Sequence, residues 1–295
     1  MSQLTKSLRG TGVALITPFT TKGEVDFVAL KNITENIIKN KCEYIVVLGT
    51  TGESATLTKE EKFQVIDEVR RINKNRIPLV LGIGGNNTAE IVHDLNTYDT
   101  KGYAAILSVS PYYNKPSQEG IYSHYAALAK ATPLPILLYN VPGRTASNIS
   151  AETTLRLAKD FKNIIGIKEA SGNFDQCMHL VKYRPSDFLL ISGDDNLTLA
   201  QIACGFDGVI SVVANAWPLK FSNMVRSCLS GDFIKARKLH YDLLDVIPLL
   251  FTEGNPVGIK SALNVMKLCG TDVRLPLVKS SKVLHEKIGK FIRGY

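Results

Sequence analysis

Ile164-Ile165-Gly166-Ile167-Lys168-Glu169-Ala170 is an almost wholly apolar run broken by two adjacent charges. An apolar run of this length reads as a strand buried on both faces, the pattern of a parallel sheet. A lysine is almost never fully buried unless it is paired or used, and burial disfavours its ammonium form. The neutral amine that results is the species that forms a Schiff base with a carbonyl substrate. The plainer alternative for Lys168 is a stem that snorkels from the strand end into water. The rest of the chain decides between the two.

The same pattern recurs on both sides. Upstream lie Val13-Ala14-Leu15-Ile16, Tyr44-Ile45-Val46-Val47-Leu48, Leu79-Val80-Leu81-Gly82-Ile83, Ala104 to Val109 and Ile136-Leu137-Leu138-Tyr139. Downstream lie Phe188-Leu189-Leu190-Ile191 and Gly208-Val209-Ile210-Ser211-Val212-Val213. Each gap admits one helix. Thr58-Lys59-Glu60-Glu61 is a capping box, followed by Phe63, Ile66, Val69 and Ile72 at helical spacing. Ser150-Ala151-Glu152 opens another helix, with Leu155 and Ala158 on its apolar face. Eight such units predict an α/β fold, a (β/α)8 TIM barrel over residues 1–216. A doubly wound open sheet is the alternative, because strand count alone does not close a barrel. Beyond Trp217 the strand signals stop, and residues 217–295 read as a C-terminal α-helical extension. Its helices run from about Phe233 to Pro248, from Pro256 to Gly270 as the C′ residue, and from about Ser281 to Ile292.

Composition narrows the function. At 295 residues and 45% hydrophobic content the chain can bury a substantial core. No run approaches the ~20 apolar residues of a membrane span, and Met1 to Lys6 lacks an apolar signal-peptide core, so the expected location is cytoplasmic. The net charge of +8 is spread along the chain without a basic run, which argues against nucleic acid. The five cysteines are far apart and odd in number, and the five histidines are scattered. Neither a zinc site nor a disulfide framework is indicated. There is no P-loop and no G-x-G-x-x-G, so no cofactor is implied.

A parallel barrel places its active site at the C-terminal ends of the strands, and polar candidates do follow the strand runs. Gly49-Thr50-Thr51-Gly52-Glu53-Ser54 follows the second, and its hydroxyls and backbone N–H groups suit a small carboxylate. Pro111-Tyr112-Tyr113-Asn114 follows the fourth, and Tyr139-Asn140-Val141-Pro142-Gly143-Arg144-Thr145 the fifth. Beside a Schiff-base lysine, Tyr139 is a candidate proton donor and acceptor. Arg144 offers a bidentate fork to a second carboxylate. Gly193-Asp194-Asp195-Asn196 after the seventh strand reads as a turn and helix cap.

Taken together, Gly49 to Ser54, Tyr139-Asn140-Val141-Pro142, Gly166 to Ala170 and Gly208 to Ser211 resemble the dihydrodipicolinate synthase/N-acetylneuraminate lyase superfamily. The resemblance extends to Pro111 to Pro116 and Arg274-Leu275-Pro276-Leu277, and so covers nearly the whole chain. Arg144 after Tyr-Asn-Val-Pro-x is similar to the synthase branch. The resemblance implies a class I aldolase-type lyase acting in lysine and diaminopimelate biosynthesis, with no cofactor and no metal. Lys168 would form the imine with pyruvate, Thr51 would hold its carboxylate through the backbone N–H, and Ile210 would line the pocket. Thr50, Tyr139 and Tyr113 would relay protons, Tyr113 reaching in from a neighbouring subunit of a dimer or dimer of dimers. Arg144 would position the carboxylate of L-aspartate 4-semialdehyde.

Two further expectations come from the resemblance. Members inhibited by lysine bind it at a dimer interface, where this chain has Ser54, Ala55, Asn86, Glu90 and Tyr112. Lys59 and Lys62 stand where sensitive members can carry histidines, and an ammonium beside a cationic ligand weakens binding; reduced lysine inhibition follows. Two other functions fit the same residues: a pyruvate-releasing lyase acting on a sugar acid or hydroxy-oxoacid, and a non-enzymatic ligand-binding barrel.

Overall fold

The computed structural model describes residues 3–294. Its centre is a closed parallel barrel of eight strands in sequence order: β1 (Gly10–Ala14), β2 (Tyr44–Val47), β3 (Leu79–Gly82), β4 (Ala105–Val109), β5 (Ile136–Asn140), β6 (Ile164–Glu169), β7 (Leu189–Ser192) and β8 (Gly208–Ser211). β8 pairs with β1, Gly12 opposite Ile210, and this closure decides for the TIM barrel over the open sheet.

The strands read as continuous apolar runs because both of their faces are covered. Inward residues such as Ala14, Val46, Val80, Leu107, Leu137, Ile191 and Ile210 fill the barrel. Outward residues such as Val13, Ile45, Leu81, Ile106, Leu138 and Leu190 pack under the helices. Full burial of each large aliphatic side chain stabilises by roughly 1.5–3 kcal/mol.

Two helix starts form as the sequence predicts. Thr58 accepts from Glu61 N–H while the Glu61 carboxylate accepts from Thr58 N–H, completing the capping box of Lys59–Asn73. Ser150 caps Ala151–Asp160 through Thr153 N–H at 3.1 Å.

Three features differ from the sequence reading. β1 lies at Gly10–Ala14 rather than Val13–Ile16. The Tyr44 ring fills the barrel where a side chain at position 12 would stand, since a Cβ on Gly12 would fall 2.2 Å from its Cε2. The strand is therefore built on glycine and threonine and carries little apolar signal. The helix expected to reach Gly270 spans Val257–Val265, and the left-handed turn residue is Lys267 at φ 59°. Asp195 caps the short turn Val213–Asn215 across the barrel rim, accepting from Val212 N–H at 3.0 Å and Val213 N–H at 3.2 Å. It does not cap the helix that follows it.

After β8 the chain is helical: Pro218–Leu229, Phe233–Leu244, Val246–Leu249, Val257–Val265 and Lys282–Arg293. Pro218–Leu229 packs on β1 and β8, while Val257–Val265 and Lys282–Arg293 pack on each other. No helix among the described residues is long and apolar enough to cross a membrane.

Candidate active site

Lys168 reaches the barrel interior because β6 carries an irregularity. Ile136 pairs with Ile164, but the next residue, Leu137, pairs with Gly166, so β6 holds one extra residue there. Ile164 and Ile167 face the helices, whereas Ile165 packs with the inner cluster. A bulge of this kind resets which side chains point inward. With strict alternation from Ile164, residue 168 would have faced the helices. Instead Lys168 lies beside Tyr139 on β5 and Ile191 on β7, both inward-facing.

The Lys168 side chain is only 6% exposed. Its Nζ lies 4.2 Å from the centroid of the Tyr139 ring, and no ion pair involves it among the described residues. Gly193 makes room for its stem: an added Cβ would sit 3.1 Å from Lys168 Cε and 2.6 Å from Ala170 Cβ. The adjacent carboxylate turns away. Glu169 is fully buried and accepts from Ser171 N–H at 2.6 Å, Gln176 Nε2 at 2.8 Å and Asn140 Nδ2 at 3.0 Å. Its carboxylate therefore fastens the β5–β6 rim and does not pair with the lysine.

Six of the seven residues picked from the sequence, Thr50, Thr51, Tyr139, Arg144, Lys168 and Ile210, line a single cavity of about 340 Å³ at the C-terminal mouth of the barrel. The seventh, Tyr113, lies elsewhere. It is 87% exposed, in a left-handed conformation at φ 74°, beyond the end of β4. Thr50 and Thr51 form one turn of 3-10 helix, Thr50–Gly52, with Thr51 buried and Thr50 exposed. Arg144 sits on the short helix Pro142–Thr145, exposed at the rim.

The cavity also holds residues to which the sequence reading gave no part in the site. Ile247, Pro248, Phe251 and Asn255 cover its mouth from the C-terminal region, and Gly193, Asp194 and Asn196 border it after β7. Asn255 donates from Nδ2 to Thr51 Oγ1 at 2.9 Å, while its Oδ1 is buried without a partner. The helical periodicity of the C-terminal region signalled packing, but nothing in it showed which turn would fold back over the barrel.

No group of three or more metal-binding side chains comes together among the described residues. Burial pushes the thiols of Cys177 and Cys228 up to about 11 and that of Cys42 up to about 12, so these groups stay protonated and unreactive.

A barrel with a buried, unpaired lysine on β6, hydroxyls beside it and an arginine at the mouth defines a lysine-dependent carbonyl-condensing class of enzyme. The chain belongs to the dihydrodipicolinate synthetase family, whose model matches residues 7–294. It is 52% identical over 284 residues to a 4-hydroxy-tetrahydrodipicolinate synthase of Flavobacterium psychrophilum, covering 96% of this chain and 97% of that one. Among solved structures, the dihydrodipicolinate synthase of Aquifex aeolicus is similar at 41% identity, with a TM-score of 0.94 over 97% of this chain and 98% of its own. A chloride-inhibited dihydrodipicolinate synthase of Acinetobacter baumannii, solved with pyruvate, is 38% identical with a TM-score of 0.93 over 97% and 98% of the two chains.

Proposed function

We propose that this chain is a 4-hydroxy-tetrahydrodipicolinate synthase, condensing pyruvate with L-aspartate 4-semialdehyde in the cytoplasmic route to diaminopimelate and lysine. The observation that carries the reading is the unpaired Lys168 amine, set in one cavity with Thr51 and Arg144. Family membership and the activity named for the relatives support it.

In this mechanism the Lys168 amine adds to the pyruvate C2 carbonyl, and loss of water gives an imine. The carboxylate of pyruvate is held by the Thr51 backbone N–H, and Ile210 keeps the pocket floor apolar. The imine withdraws electrons, so a C3 proton leaves and an enamine forms. C3 of the enamine then attacks the aldehyde carbon of the second substrate, whose carboxylate rests on the Arg144 guanidinium. The substrate's own amine closes on C2, and the Lys168 amine departs as the ring forms. Each step moves a proton. Tyr139 and Thr50, with Tyr113 supplied by a neighbouring subunit, relay these protons without adding a fixed charge beside the amine. Acid–base assistance of this kind is worth ~10²–10⁴-fold. A relay completed across an interface makes the dimer the smallest active unit.

Arg144 also favours this activity over release of pyruvate from a sugar acid, because a guanidinium fork matches a short carboxylate-bearing aldehyde. The test is borohydride reduction in the presence of pyruvate, read by peptide mass spectrometry, with turnover measured on both substrates. The expected result is a stable adduct on Lys168 that is lost in Lys168→Ala. No adduct on Lys168 ends the Schiff-base reading. An adduct without turnover on aspartate semialdehyde, together with cleavage of a 2-keto-3-deoxy sugar acid, moves the chain to the lyase reading.

A further inference from the structure

The turn that bears Thr50 and Thr51 ends on a residue with an unusual task. Glu53 closes it in the left-handed conformation, φ 50° and ψ 36°, with its N–H donating to Thr50 C=O. This conformation is unfavourable for an L side chain and persists only where the surroundings impose it. Here they do. Glu53 Oε1 accepts from Lys260 Nζ at 2.5 Å, and Oε2 accepts from the Arg274 N–H at 3.0 Å.

Lys260 lies on the C-terminal helix Val257–Val265 and is fully buried. Its Nζ donates a second bond to Asp272 C=O at 2.8 Å and stands 4.2 Å from the centroid of the Phe19 ring. Arg274 stacks on the same ring at 4.5 Å and forks onto Glu61 at 2.5 and 2.6 Å, at the head of the next helix. On the turn's other side, Thr17 Oγ1 donates to Gly52 C=O at 2.7 Å.

A buried ion pair is poor evidence for stability, because desolvation of two charges offsets most of their attraction. Lys260 also touches neither the cavity nor Lys168. What the pair does have is position: it holds the carboxylate of the residue two places after Thr51. We propose that the Lys260–Glu53 pair is a positioning device for the substrate-carboxylate turn, fixing the direction of the Thr51 N–H from the C-terminal helical region. The inference rests on the proposed function. Being neutral as a pair, the two residues orient the turn without placing net charge beside the Lys168 amine or its anionic substrate. They also give the C-terminal helices a part in pyruvate binding that packing alone does not require.

The experiment compares the full-length wild type with Glu53→Gln, Lys260→Met and the double variant Lys260→Met/Glu53→Gln. The double variant leaves no lone buried charge and keeps the test available if Lys260→Met alone does not fold. For each folded variant, the pyruvate concentration giving half-maximal borohydride trapping of Lys168 is measured beside the melting temperature and the KM of aspartate semialdehyde. A loosened turn is expected to raise the pyruvate half-saturation by about tenfold, the effect of a sub-ångström misplacement, while the second KM stays within about twofold. A wild-type half-saturation in the folded variants overturns the proposal, whatever their melting temperature. Equal rises for both substrates overturn it too. A wild type that is not trapped overturns the proposed function first, and this inference with it.

Discussion

Gly193→Ala tests how tightly the barrel mouth fixes the Lys168 amine, the proposed nucleophile. The backbone at Gly193 does not take a left-handed φ, so alanine is not excluded by its own dihedrals. Space is the obstacle. The new Cβ would stand 2.6 Å from Ala170 Cβ, 3.1 Å from Lys168 Cε and 3.2 Å from Glu169 C=O. Carbon pairs settle at about 3.5–4.0 Å, so the β6 and β7 ends must part by about 1 Å to clear Ala170, and the lysine stem, about 0.5 Å too close, must swing as well. Opening the strands is resisted on both sides, because Gly193 N–H donates to Glu169 C=O at 2.8 Å and the Glu169 carboxylate is held by three donors, Asn140, Ser171 and Gln176. The lysine stem is the softer element and takes part of the shift.

A displacement of about 1 Å at a reacting group costs ~10²-fold in rate, or about 2.7 kcal/mol of barrier. Overpacking should lower stability by about 1–3 kcal/mol, leaving a folded protein to assay. The measurements are turnover with both substrates at saturation, the rate of pyruvate trapping on Lys168, and thermal melting. The expected pattern is slow imine formation in a protein that still melts cooperatively. Wild-type trapping and turnover in a folded Gly193→Ala protein would refute the claim that this glycine makes room for the amine.

Other perturbations separate the remaining roles. Arg144→Lys keeps the charge but loses the fork, and should raise the KM of aspartate semialdehyde by about tenfold or more with pyruvate half-saturation unchanged; a rise for pyruvate instead would reverse the assignment. Tyr113→Phe should cut turnover by ~10²-fold or more, yet co-expression with Lys168→Ala should restore activity through hybrid dimers; no recovery would end the shared-site reading. Because Lys62 lines the same small cavity as Ser54, submillimolar lysine should leave more than half of the activity, as an inhibition curve would show. Asp195 is fully buried, and desolvation pushes its carboxyl up to about 6 from 3.8. The folded state thus binds more protons than the unfolded one between about pH 4 and 6. Asp195 therefore lowers stability as pH rises through that window, by up to about 3 kcal/mol, and its effect is constant above it. Wild-type stability measured against Asp195→Asn by urea titration should fall across pH 4 to 6; a flat difference would refute the shift.

The barrel was legible because strands buried on both faces leave an apolar signature that tolerates small errors of boundary. β1 escaped correct placement for the reason that makes the signature work: its inner face is filled by Tyr44 of another strand, so its own residues are small. The candidate site was legible where function forces polar residues onto strand ends, as at Lys168, Tyr139 and Thr50-Thr51. Contributions from elements distant in sequence were not. Asn255 follows Thr51 by 204 positions, and Lys260 follows Glu53 by 207. No local pattern separates a lysine that reaches a buried carboxylate from one on a solvated helix face. Their roles come from the way the C-terminal helices fold over the barrel mouth.

One local feature remained invisible although its residues were read closely. Ile164 to Ala170 reads as a regular strand, and a regular strand carrying Ile164 outward would also carry Lys168 outward, into the helix layer. The extra residue at Ile165 reverses this parity. It places Ile165 and Lys168 inside while Ile167 still packs under the helices, and Gly166 makes the tight passage possible, since a Cβ there would lie 2.7 Å from Leu189 Cβ. Buried carboxylates elsewhere on the rim hold other partners: Glu169 accepts from Asn140, Ser171 and Gln176, Glu53 from Lys260 and Arg274, and Asp195 Oδ2 from two backbone N–H groups. The proposed nucleophile thus depends on a device that residue type alone does not display: a bulge that aims the lysine inward, on a strand whose own carboxylate, Glu169, is held by other partners.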